Sequence, residues 1–276
     1  MDAVLKAKKR QLVSLLAEMD RVIVAYSGGV DSSFLTAMAH DTLGGRALAL
    51  TAVSPSLARR ELDDAKALAR RFGWNHETVS THEVGREEYA RNDPDRCYWC
   101  KDELFSVLEP RAAATGAAIA TGTNTDDLGD HRPGLRAANE RDIRAPLVEA
   151  GLSKHDVRAL SRDLGLPTAD KPASPCLSSR FAYGVRVTPR GLRRIERAEE
   201  AVRSFGFDVL RVRDHGDLAR IEVPLEDVPR AAALQRDLTD ALLALGFRHV
   251  TLDLAGFRSG SLNAPLREPG FGPPVL

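Results

Sequence analysis

This sequence has few cysteines, no excess of charge of either sign and no long hydrophobic run. Three cysteines among 276 residues, an odd number, argue against a disulfide framework. The 39 basic side chains balance the 39 acidic ones, which excludes an overall basic field that would attract nucleic acid or an anionic membrane. No apolar stretch approaches the roughly 18 residues of a membrane span, and the polar N-terminus lacks a signal-peptide pattern. We therefore expect a cytoplasmic globular protein.

The order of apolar and amphipathic segments predicts two domains with a linker between them. Up to about residue 170, short apolar runs alternate with helical segments, which is typical of a doubly wound parallel α/β sheet. The segments beyond residue 189 predict a smaller α+β domain. The expected division is a nucleotide-binding domain over 1–170, a linker or active-site loop carrying Cys176 over 171–188, and a substrate or oligomerisation domain over 189–276.

Periodicity and turn residues place the individual elements. The predicted strands are 22–26, 47–53, 76–79 and 117–120, then 209–213, 220–223 and 249–254. The predicted helices are 1–19, 34–39, 57–72, 101–108, 153–165, 189–205 and 227–245. Turn formers and the absence of periodicity predict loops at 124–138 and 171–184.

The segment that follows the first predicted strand is the most informative one, Ser27-Gly28-Gly29-Val30-Asp31-Ser32-Ser33. We call residues 27–33 the phosphate loop. Two adjacent glycines let backbone N–H groups converge on one point without interference from Cβ atoms. The serine hydroxyls and the N-terminus of the following helix add donors and a positive dipole end. It is not a Walker A loop, because no Gly-Lys-Ser/Thr follows the glycines. The alternative, an ordinary strand–turn–helix corner, needs neither the second glycine nor the serines.

Other candidate phosphate or nucleotide ligands lie where predicted strands end. Ligands of open α/β sheets bind outside the carboxyl ends of the strands, and Ala25, Ser54 and Gly122 occupy such positions. Asp31 is a candidate Mg²⁺ ligand, with capping of the following helix as the alternative. Asp126 and Asp127 are candidate loop carboxylates that order the phosphates and Mg²⁺, with a role as catalytic bases as the alternative.

The placement of the cysteines is more informative than their number. Cys97 and Cys100 form a Cys-x-x-Cys pair, and Cys176 stands alone much later. A zinc ribbon needs a second pair, and a thioredoxin-like redox motif needs a preceding strand and no third cysteine. Three thiolates on one [4Fe–4S] cluster would leave one iron open to an exogenous sulfur or a substrate. The alternative is three unrelated buried cysteines. It suits Cys176 poorly, because the neighbours of Cys176 are Ser, Pro and Arg.

The ordered set of these motifs resembles a known family. The phosphate loop is similar to the pyrophosphate loop, or PP-loop, of the ATP-pyrophosphatase superfamily. The whole set resembles the LarE family of ATP-dependent sulfur transferases, which help to build the nickel-pincer cofactor of lactate racemase. The likeness covers nearly the whole chain and rests, besides the phosphate loop, on residues 95–101, 122–127, 132–134, 174–180, 211–213 and 215–222.

The resemblance implies that ATP adenylates a carboxylate of pyridinium-3,5-biscarboxylic acid mononucleotide and that sulfur then displaces AMP to give a thiocarboxylate. Some members sacrifice the sulfur of a single cysteine, which matches Cys176. Others hold a [4Fe–4S] cluster carrying an extra sulfide, and Cys97, Cys100 and Cys176 match this second type. The implied cofactors are ATP, Mg²⁺ and the cluster. The implied partners are the mononucleotide, a sulfide donor and further copies of the chain in a homo-oligomer, with no nucleic acid and no membrane.

Several residues are candidates for binding the substrate, namely Trp99, Arg132, Arg180, Arg211, Arg213 and Glu222. Arg211 and Arg213 alternate along a predicted strand, so both can point at one anionic group. A cross-strand pairing is the alternative role of Glu222. The loop arginines suit a fork to a phosphate or carboxylate, although exposed arginines are usually only solvated. Trp99 is a candidate for stacking on a ring, with plain packing as the alternative.

Three other functions stay open at this level. A tRNA cytidine thiolase family also joins a PP-loop to three cluster-binding cysteines, but a basic surface or an RNA-binding appendage would then be expected. An ammonia-dependent amidating synthetase of the NAD or GMP synthetase kind needs no cysteines at all. A non-enzymatic nucleotide-sensing module would release no pyrophosphate.

Overall fold

A computed structural model describes residues 2–129 and 133–258. Its backbone contacts divide the chain into two compact units, neither of which is one continuous stretch. The first unit contains residues 2–83 and 97–174, and the second contains residues 84–96 and 175–258. The later boundary falls inside the segment that we expect to link two domains. No sequence signal marks 84–96 as part of the second unit.

Helices occupy much of the described chain. In chain order they are α1 (Ala3–Glu18), α2 (Val30–Leu43), α3 (Arg59–Phe72), α4 (Glu87–Ala90), α5 (Arg96–Thr115), α6 (Pro133–Asn139), α7 (Pro146–Glu149), α8 (Lys154–Asp163), α9 (Pro189–Ser204), α10 (Val228–Ala233) and α11 (Gln235–Leu243). Within the described ranges, no helix is both long and apolar enough to cross a membrane.

The first unit is built on a four-stranded parallel sheet. Its strands are β1 (Val22–Ala25), β2 (Ala47–Val53), β3 (His76–Ser80) and β4 (Ala118–Ala120), in the spatial order β3-β2-β1-β4. Val22 of β1 is in register with Ala47 of β2 on one side and with Ala118 of β4 on the other. The strand order reverses between β1 and β4, which is where such sheets bind ligands. The predicted parallel sheet is therefore confirmed.

Helices cover both faces of this sheet, which is why its central strand is apolar throughout. Successive side chains of a strand point to opposite faces. Val22 and Val24 of β1 accordingly pack with α1, α2 and α8. Ile23 packs on the opposite face, with Phe105 and Leu108 of α5. The sheet is doubly wound, as predicted.

Local signals determine several helix ends. Ser153 caps α8 by accepting from the Asp156 N–H, and the Asp156 side chain accepts from the Ser153 N–H in return. α3 ends at Gly73, whose φ of 65° is a left-handed conformation that favours glycine. α9 begins at Pro189, and the side chain of the preceding Thr188 caps its first turn. The predicted helices at these positions are confirmed.

The prediction of a loop over residues 124–138 is wrong from Pro133 onward, where a helix lies, and residues 130–132 of that prediction lie outside the described residues. A 3-10 turn covers Thr125–Gly129, and α6 follows it. Pro133 suits the first turn of a helix, where its missing N–H is not needed. Ala137 and Ala138 are buried in the same apolar cluster as the α5 side chains. Packing on α5 therefore gives helical structure to a segment whose own periodicity is weak.

The second unit is a small α+β fold, as predicted. β5 (Arg211–Asp214) pairs antiparallel with β6 (Leu218–Glu222), and β6 pairs parallel with β7 (His249–Leu252), in the order β5-β6-β7. The prediction of one helix over 227–245 is wrong. Leu234, with a ψ of 19°, leaves the helical region and separates α10 from α11.

Asn92 holds residues 84–96 in the second unit. It is fully buried and has a φ of 60°, a left-handed conformation that asparagine tolerates better than most residues. Its Nδ2 donates to the carbonyl oxygens of Ala182 (2.7 Å) and Val185 (3.0 Å), and its Oδ1 accepts from Arg96. The segment is thereby bonded to chain that lies 90 residues later.

The end of β4 lies against the first turn of α2. A Cβ atom added at Gly122 would lie 2.7 Å from the backbone nitrogen of Ser32 and 2.9 Å from the carbonyl carbon of Asp31. These distances are far below van der Waals contact, so a side chain at this position would push the two backbones apart. The N-terminus of α2, which closes the phosphate loop, therefore depends on glycine at this position of the adjoining loop.

We predict that Gly122→Ala lowers the free energy of unfolding by about 1–3 kcal/mol, the usual effect of overpacking. The matched control is Gly45→Ala, because a Cβ at Gly45 would meet no described atom within 4 Å. Urea unfolding of both variants measures the difference. Equal stability of the two variants would contradict the close approach of Gly122 to α2.

Candidate functional site

The phosphate loop follows β1, which ends at Ala25, and continues into the first turn of α2. Its own serines hold it. The hydroxyls of Ser27 and Ser32 lie 3.0 Å apart, and the Ser32 hydroxyl donates to the Gly29 carbonyl oxygen (3.2 Å). Gly29 is the N-cap residue of α2. The first N–H groups of a helix have no partner within the helix. The loop therefore presents backbone donors and a positive helix end to an anion.

The two glycines of the phosphate loop have different roles. Gly28 has a φ of 74°, and a Cβ there would lie 2.9 Å from the Ala65 Cβ of α3, so the protein itself excludes a side chain. Gly29 has a φ of −80°, and among the described atoms a Cβ there would meet the Ser27 hydroxyl alone, at 3.4 Å. Packing does not require glycine at position 29. Its missing side chain keeps the approach to the helix N-terminus open.

Of the expected hydroxyl donors, Ser33 lies in the interior of the first unit and Ser54 is hydrogen-bonded there. Ser33 is fully buried and lies beside Tyr26, whose pKa is raised to about 12 by burial. Ser54 donates to the carboxylate of Glu83, and Ser56 donates to the same oxygen at 2.8 Å. Glu83 is buried at the end of the sheet where β2 and β3 finish. Sequence reasoning missed Glu83, because no pattern around it indicates a buried carboxylate.

Asp31 lies in the first turn of α2 and binds two neighbours. The Asn124 Nδ2 donates to one carboxylate oxygen (3.2 Å) and the Lys154 Nζ to the other (3.0 Å). The Lys154 N–H donates to Asp126 (3.1 Å), and Asp127 accepts from the Asn124 N–H (3.1 Å). Sequence reasoning missed Lys154, because 123 residues separate it from Asp31. Chemically, the carboxylate can hold Mg²⁺ and the ammonium group a phosphate oxygen.

The first turn of α3 holds the start of the expected linker. Glu61 accepts from the Lys171 Nζ (2.7 Å) and from the Ser174 hydroxyl (2.8 Å). The Lys171 Nζ also donates to the Gly28 carbonyl oxygen (3.4 Å). Burial by itself raises the pKa of Glu61, but the hydrogen bond and charge of Lys171 outweigh it and lower that pKa below its ordinary value of 4.5. These contacts tie the start of the linker to the phosphate loop.

Two of the three cysteines share one helical turn. Cys97 is exposed and Cys100 half-buried, three residues apart in the first turn of α5, which places them on one helix face. α6 packs beside them, since a Cβ at Gly134 would lie 3.4 Å from the Cys97 carbonyl oxygen. Cys176 belongs to the second unit and is half-buried just before the 3-10 turn Leu177–Arg180.

Cys97, Cys100 and Cys176 form no disulfide in the described part of the chain. Within each unit by itself, the described residues include no group of three His, Cys, Asp or Glu side chains that could hold a metal ion. A three-thiolate site therefore needs Cys176 of the second unit in addition to the pair in the first. The convergence of the three thiols stays a prediction.

Arg180, an expected substrate ligand, is bonded within the second unit. Its guanidinium makes two hydrogen bonds to Glu199, at 2.8 and 3.1 Å. It also donates to the carbonyl oxygens of Pro175 (2.6 Å) and Cys176 (3.2 Å). Arg180 is 3% exposed and Glu199 is 6% exposed. The guanidinium N–H groups of Arg180 therefore donate to atoms of the protein itself.

Arg211 and Arg213 occupy alternate positions of β5, as predicted, but their surroundings differ. Arg213 is buried and donates to Glu222 of β6 and to the Ser179 carbonyl oxygen, both at 2.8 Å. Glu222 thus has the cross-strand pairing that the sequence left open. Arg211 is half-buried, and burial followed by the charges of Arg180 and Arg213 lowers the pKa of Arg211 to about 10. An anion bound beside Arg211 would stabilise its charged form.

Two further candidates remain. Trp99 lies in the first turn of α5 and is half-buried. Its ring meets that of Tyr98 edge to face, with the ring centroids 5.0 Å apart, and stacking on a substrate ring stays a prediction. Arg132 lies outside the described residues.

A Ser-Gly-Gly loop between the central strand of a parallel sheet and the first turn of a helix characterises the PP-loop ATP pyrophosphatases. The family model described as NAD synthase matches residues 5–96, the part of the chain that contains β1, the phosphate loop and α2. The first unit is therefore a PP-loop unit of the kind found in ATP-using enzymes.

Similarity over the full length narrows this class to one family. The chain is 41% identical over 268 residues to the pyridinium-3,5-bisthiocarboxylic acid mononucleotide synthase of Lactiplantibacillus plantarum, which covers 96% of this chain and 97% of that protein. An uncharacterized protein of Synechocystis is 47% identical over 267 residues, covering 96% and 100%. The tRNA-specific 2-thiouridylase MnmA of Azorhizobium caulinodans is 36% identical over 194 residues, covering 56% and 49%. The chain belongs to the LarE family of ATP-dependent sulfurtransferases and is an enzyme of the PP-loop class.

We predict that Glu61→Gln lowers the free energy of unfolding at pH 7 by about 1–2 kcal/mol, because hydrogen bonds to a charged group are lost. The folded-state pKa of Glu61 is depressed, so this stability is present above pH 4.5 and is lost as the pH falls through the folded pKa. The difference between wild type and variant should therefore shrink below pH 4.5 in urea unfolding. A matched control is Glu77→Gln, whose partner Arg111 forms an exposed pair with an expected effect under about 0.5 kcal/mol. A difference that stays constant down to acidic pH would contradict the assignment.

Proposed function

We propose that this enzyme converts a carboxylate of pyridinium-3,5-biscarboxylic acid mononucleotide into a thiocarboxylate at the expense of ATP. The end-to-end similarity to the Lactiplantibacillus synthase, whose name states a pyridinium bisthiocarboxylic mononucleotide product, carries the proposal. The phosphate loop supports it, because activation of a carboxylate as an adenylate needs a site for the phosphates of ATP. We also keep a cytoplasmic location and a homo-oligomeric state as predictions.

The first chemical step activates the carboxylate. A carboxylate oxygen of the substrate attacks the α-phosphorus of ATP, the bond from that phosphorus to the bridging oxygen breaks, and pyrophosphate leaves with the electron pair. The first-turn N–H groups of α2, with Ser27 and Ser32, bond the phosphates. Asp31 would hold Mg²⁺, which neutralises phosphate charge, and Lys154 would bond a phosphate oxygen. The remaining proposed nucleotide contacts are Ala25, Gly28, Gly29, Ser33, Ser54, Gly122 and Asp127.

The second step replaces AMP by sulfur. A sulfur nucleophile adds to the acyl carbon of the adenylate, a C–S bond forms, the C–O bond to AMP breaks, and AMP leaves as an anion. With sulfide as the donor, no oxidant or reductant is consumed. Each sulfur transferred therefore accompanies one ATP cleaved to AMP and pyrophosphate.

Arg211 is the residue that we propose to bind an anionic group of the mononucleotide. It is half-buried, and its lowered pKa reflects burial and the neighbouring arginine charges. A cation in such surroundings is stabilised when an anion binds beside it. Arg213 and Glu222 support this site from the adjoining positions of β5 and β6, and Trp99 is proposed to stack on the pyridinium ring.

The proposed sulfur source is a [4Fe–4S] cluster held by Cys97, Cys100 and Cys176. The donor set fits such a group, because thiolates are the usual ligands of these clusters and none of the three cysteines is used in a disulfide in the described chain. When bound, the cluster would supply an iron without a protein ligand, at which inorganic sulfide can be carried. The alternative source is the sulfur of Cys176 itself, whose loss would leave dehydroalanine after one turnover.

Similarity to the 2-thiouridylase over 194 residues favours a second candidate, thiolation of a tRNA base. The balance of 39 basic and 39 acidic side chains counts against it. The support for an amidating synthetase is the match to the NAD synthase family model, which covers residues 5–96. Pyrophosphate release that depends on the pyridinium carboxylate, and not on tRNA or ammonia, distinguishes the three.

We predict that Gly29→Val weakens the binding of a non-hydrolysable ATP analogue by about 100-fold, or about 2.7 kcal/mol, because the side chain blocks hydrogen bonds to a charged phosphate. Isothermal titration calorimetry measures the affinity, and the control is Gly45→Val, at a position with open surroundings in the described structure. Unchanged affinity in Gly29→Val, with an unchanged circular dichroism spectrum, would remove the phosphate loop from the ATP site.

We predict that Cys97→Ala, Cys100→Ala and Cys176→Ala each prevent anaerobic reconstitution of a cluster containing about four iron atoms per chain. Iron and sulfide analysis gives the readout, and Ser106→Ala on α5 is the control. Wild type should turn over repeatedly when sulfide is supplied. A different result would contradict the cluster as the sulfur source. In that case Cys97→Ala and Cys100→Ala both retain single-turnover sulfur transfer, mass spectrometry shows that Cys176 has become dehydroalanine, and Cys176 itself is the sulfur source.

A further inference from the structure

Three buried arginines of the second unit bind the backbone of the turn that carries Cys176. We call residues 175–180 the Cys176 turn. Arg180 donates to the carbonyl oxygens of Pro175 (2.6 Å) and Cys176 (3.2 Å). Arg96 donates to the Ser178 carbonyl oxygen at 2.8 Å, and Arg213 donates to the next carbonyl oxygen, also at 2.8 Å. Four carbonyl groups of one short turn thus accept from guanidinium groups.

Leu177, Ser178 and Arg180 of this turn are buried, so its carbonyl groups need partners within the protein. The three arginines are 3%, 5% and 6% exposed, and burying a guanidinium is unfavourable unless a carboxylate pairs with it. Glu199 of α9 pairs with both edges of the Arg180 guanidinium, at 2.8 and 3.1 Å, and also accepts from the Val212 N–H of β5 at 3.3 Å. The Cys176 turn is thereby anchored to a helix and a strand of the core.

Bonds within the Cys176 turn and to Tyr89 also hold it. The Ser179 N–H and hydroxyl both donate to the Cys176 carbonyl oxygen, at 2.9 and 2.7 Å, and the Tyr89 and Ser178 hydroxyls lie 2.6 Å apart. The Cys176 carbonyl oxygen therefore receives three donors, one of which is charged. The Ser179 N–H closes the 3-10 turn at Cys176, and the Arg180 guanidinium adds a charged contact to the same oxygen from a side chain that is itself fixed by Glu199.

We propose that Arg180 and Glu199 form a positioning pair for Cys176, which fixes the backbone from which the thiol projects. The proposal rests on the proposed sulfur transfer, in which Cys176 supplies or carries the sulfur. It gives Arg180 a different role from the substrate contact expected from the sequence. Arg180 acts through Cys176, because its Nε, Nη1 and Nη2 all donate to protein acceptors.

The test measures the reactivity of each cysteine in the full chain, after any iron is removed with a chelator under reducing conditions. Iodoacetamide alkylation of Cys97, Cys100 and Cys176 is followed by peptide mass spectrometry, so the first two serve as internal references. The variants are Arg180→Lys, which keeps the charge but loses the planar fork, and Glu199→Gln, which presents an NH₂ group to the guanidinium. The matched control is Arg186→Lys, whose partner Glu87 forms a two-bond pair in the same unit that is 55% and 59% exposed.

The expected result is an increase of at least about 10-fold in the alkylation rate of Cys176 in both variants, as local opening becomes easier. Cys97 and Cys100 should change less than about twofold, and the control should match wild type. Sulfur transfer should fall in kcat with the KM for ATP unchanged. An unchanged rate at Cys176 in either folded variant overturns the proposal, and so does a parallel increase at all three cysteines. Alkylation needs no substrate. If the wild-type enzyme transferred no sulfur, the proposed function would be overturned, but the alkylation rates would still test whether Arg180 and Glu199 position Cys176.

Discussion

The backbone of Gly122 packs against the backbone of the first turn of α2, and the position of the phosphate loop follows from that contact. A Cβ atom at 2.7 Å from the Ser32 nitrogen is impossible, so β4 and α2 can meet at this distance only through glycine. The same turn of α2 carries Asp31, which binds Asn124 and Lys154 from the chain beyond β4. A steric constraint at one residue thus decides where backbone donors, a carboxylate and an ammonium group come together.

Charge is distributed differently in the two units. In the first, the charged groups around the phosphate loop are partly exposed, with Lys154 and Asp31 at 39% and 20%, which suits groups that exchange partners when a ligand binds. In the second, Arg180 and Arg213 are buried with Glu199 and Glu222. Buried pairs are costly to break. These buried pairs hold the chain in place. Burial and the neighbouring arginine charges lower the pKa of the half-buried Arg211 beside them.

The parts of this structure that sequence predicted are those with local causes. The central strands, the capping box at Ser153 and the left-handed Gly73 depend on neighbours within a few residues. The missed features depend on contacts across the fold. Lys154 reaches Asp31 over 123 residues and Lys171 reaches Glu61 over 110, while α6 forms where packing on α5 overrides weak periodicity. The sequence supplies the motif residues as candidates. It does not distinguish the buried Arg180 from the half-buried Arg211, because burial is a property of the fold.

The hydrogen bonds that the Asn92 side chain donates can form only late in the synthesis of the chain. Its segment, residues 84–96, leaves the ribosome well before the carbonyl groups of Ala182 and Val185 that it binds, a delay of several seconds at about 5–20 residues per second. During that interval the first unit is also incomplete, because it includes residues 97–174. The nascent chain therefore cannot finish one unit before it starts the other. Neither unit corresponds to a single contiguous fragment, so a truncation at any one peptide bond cannot release either of them whole.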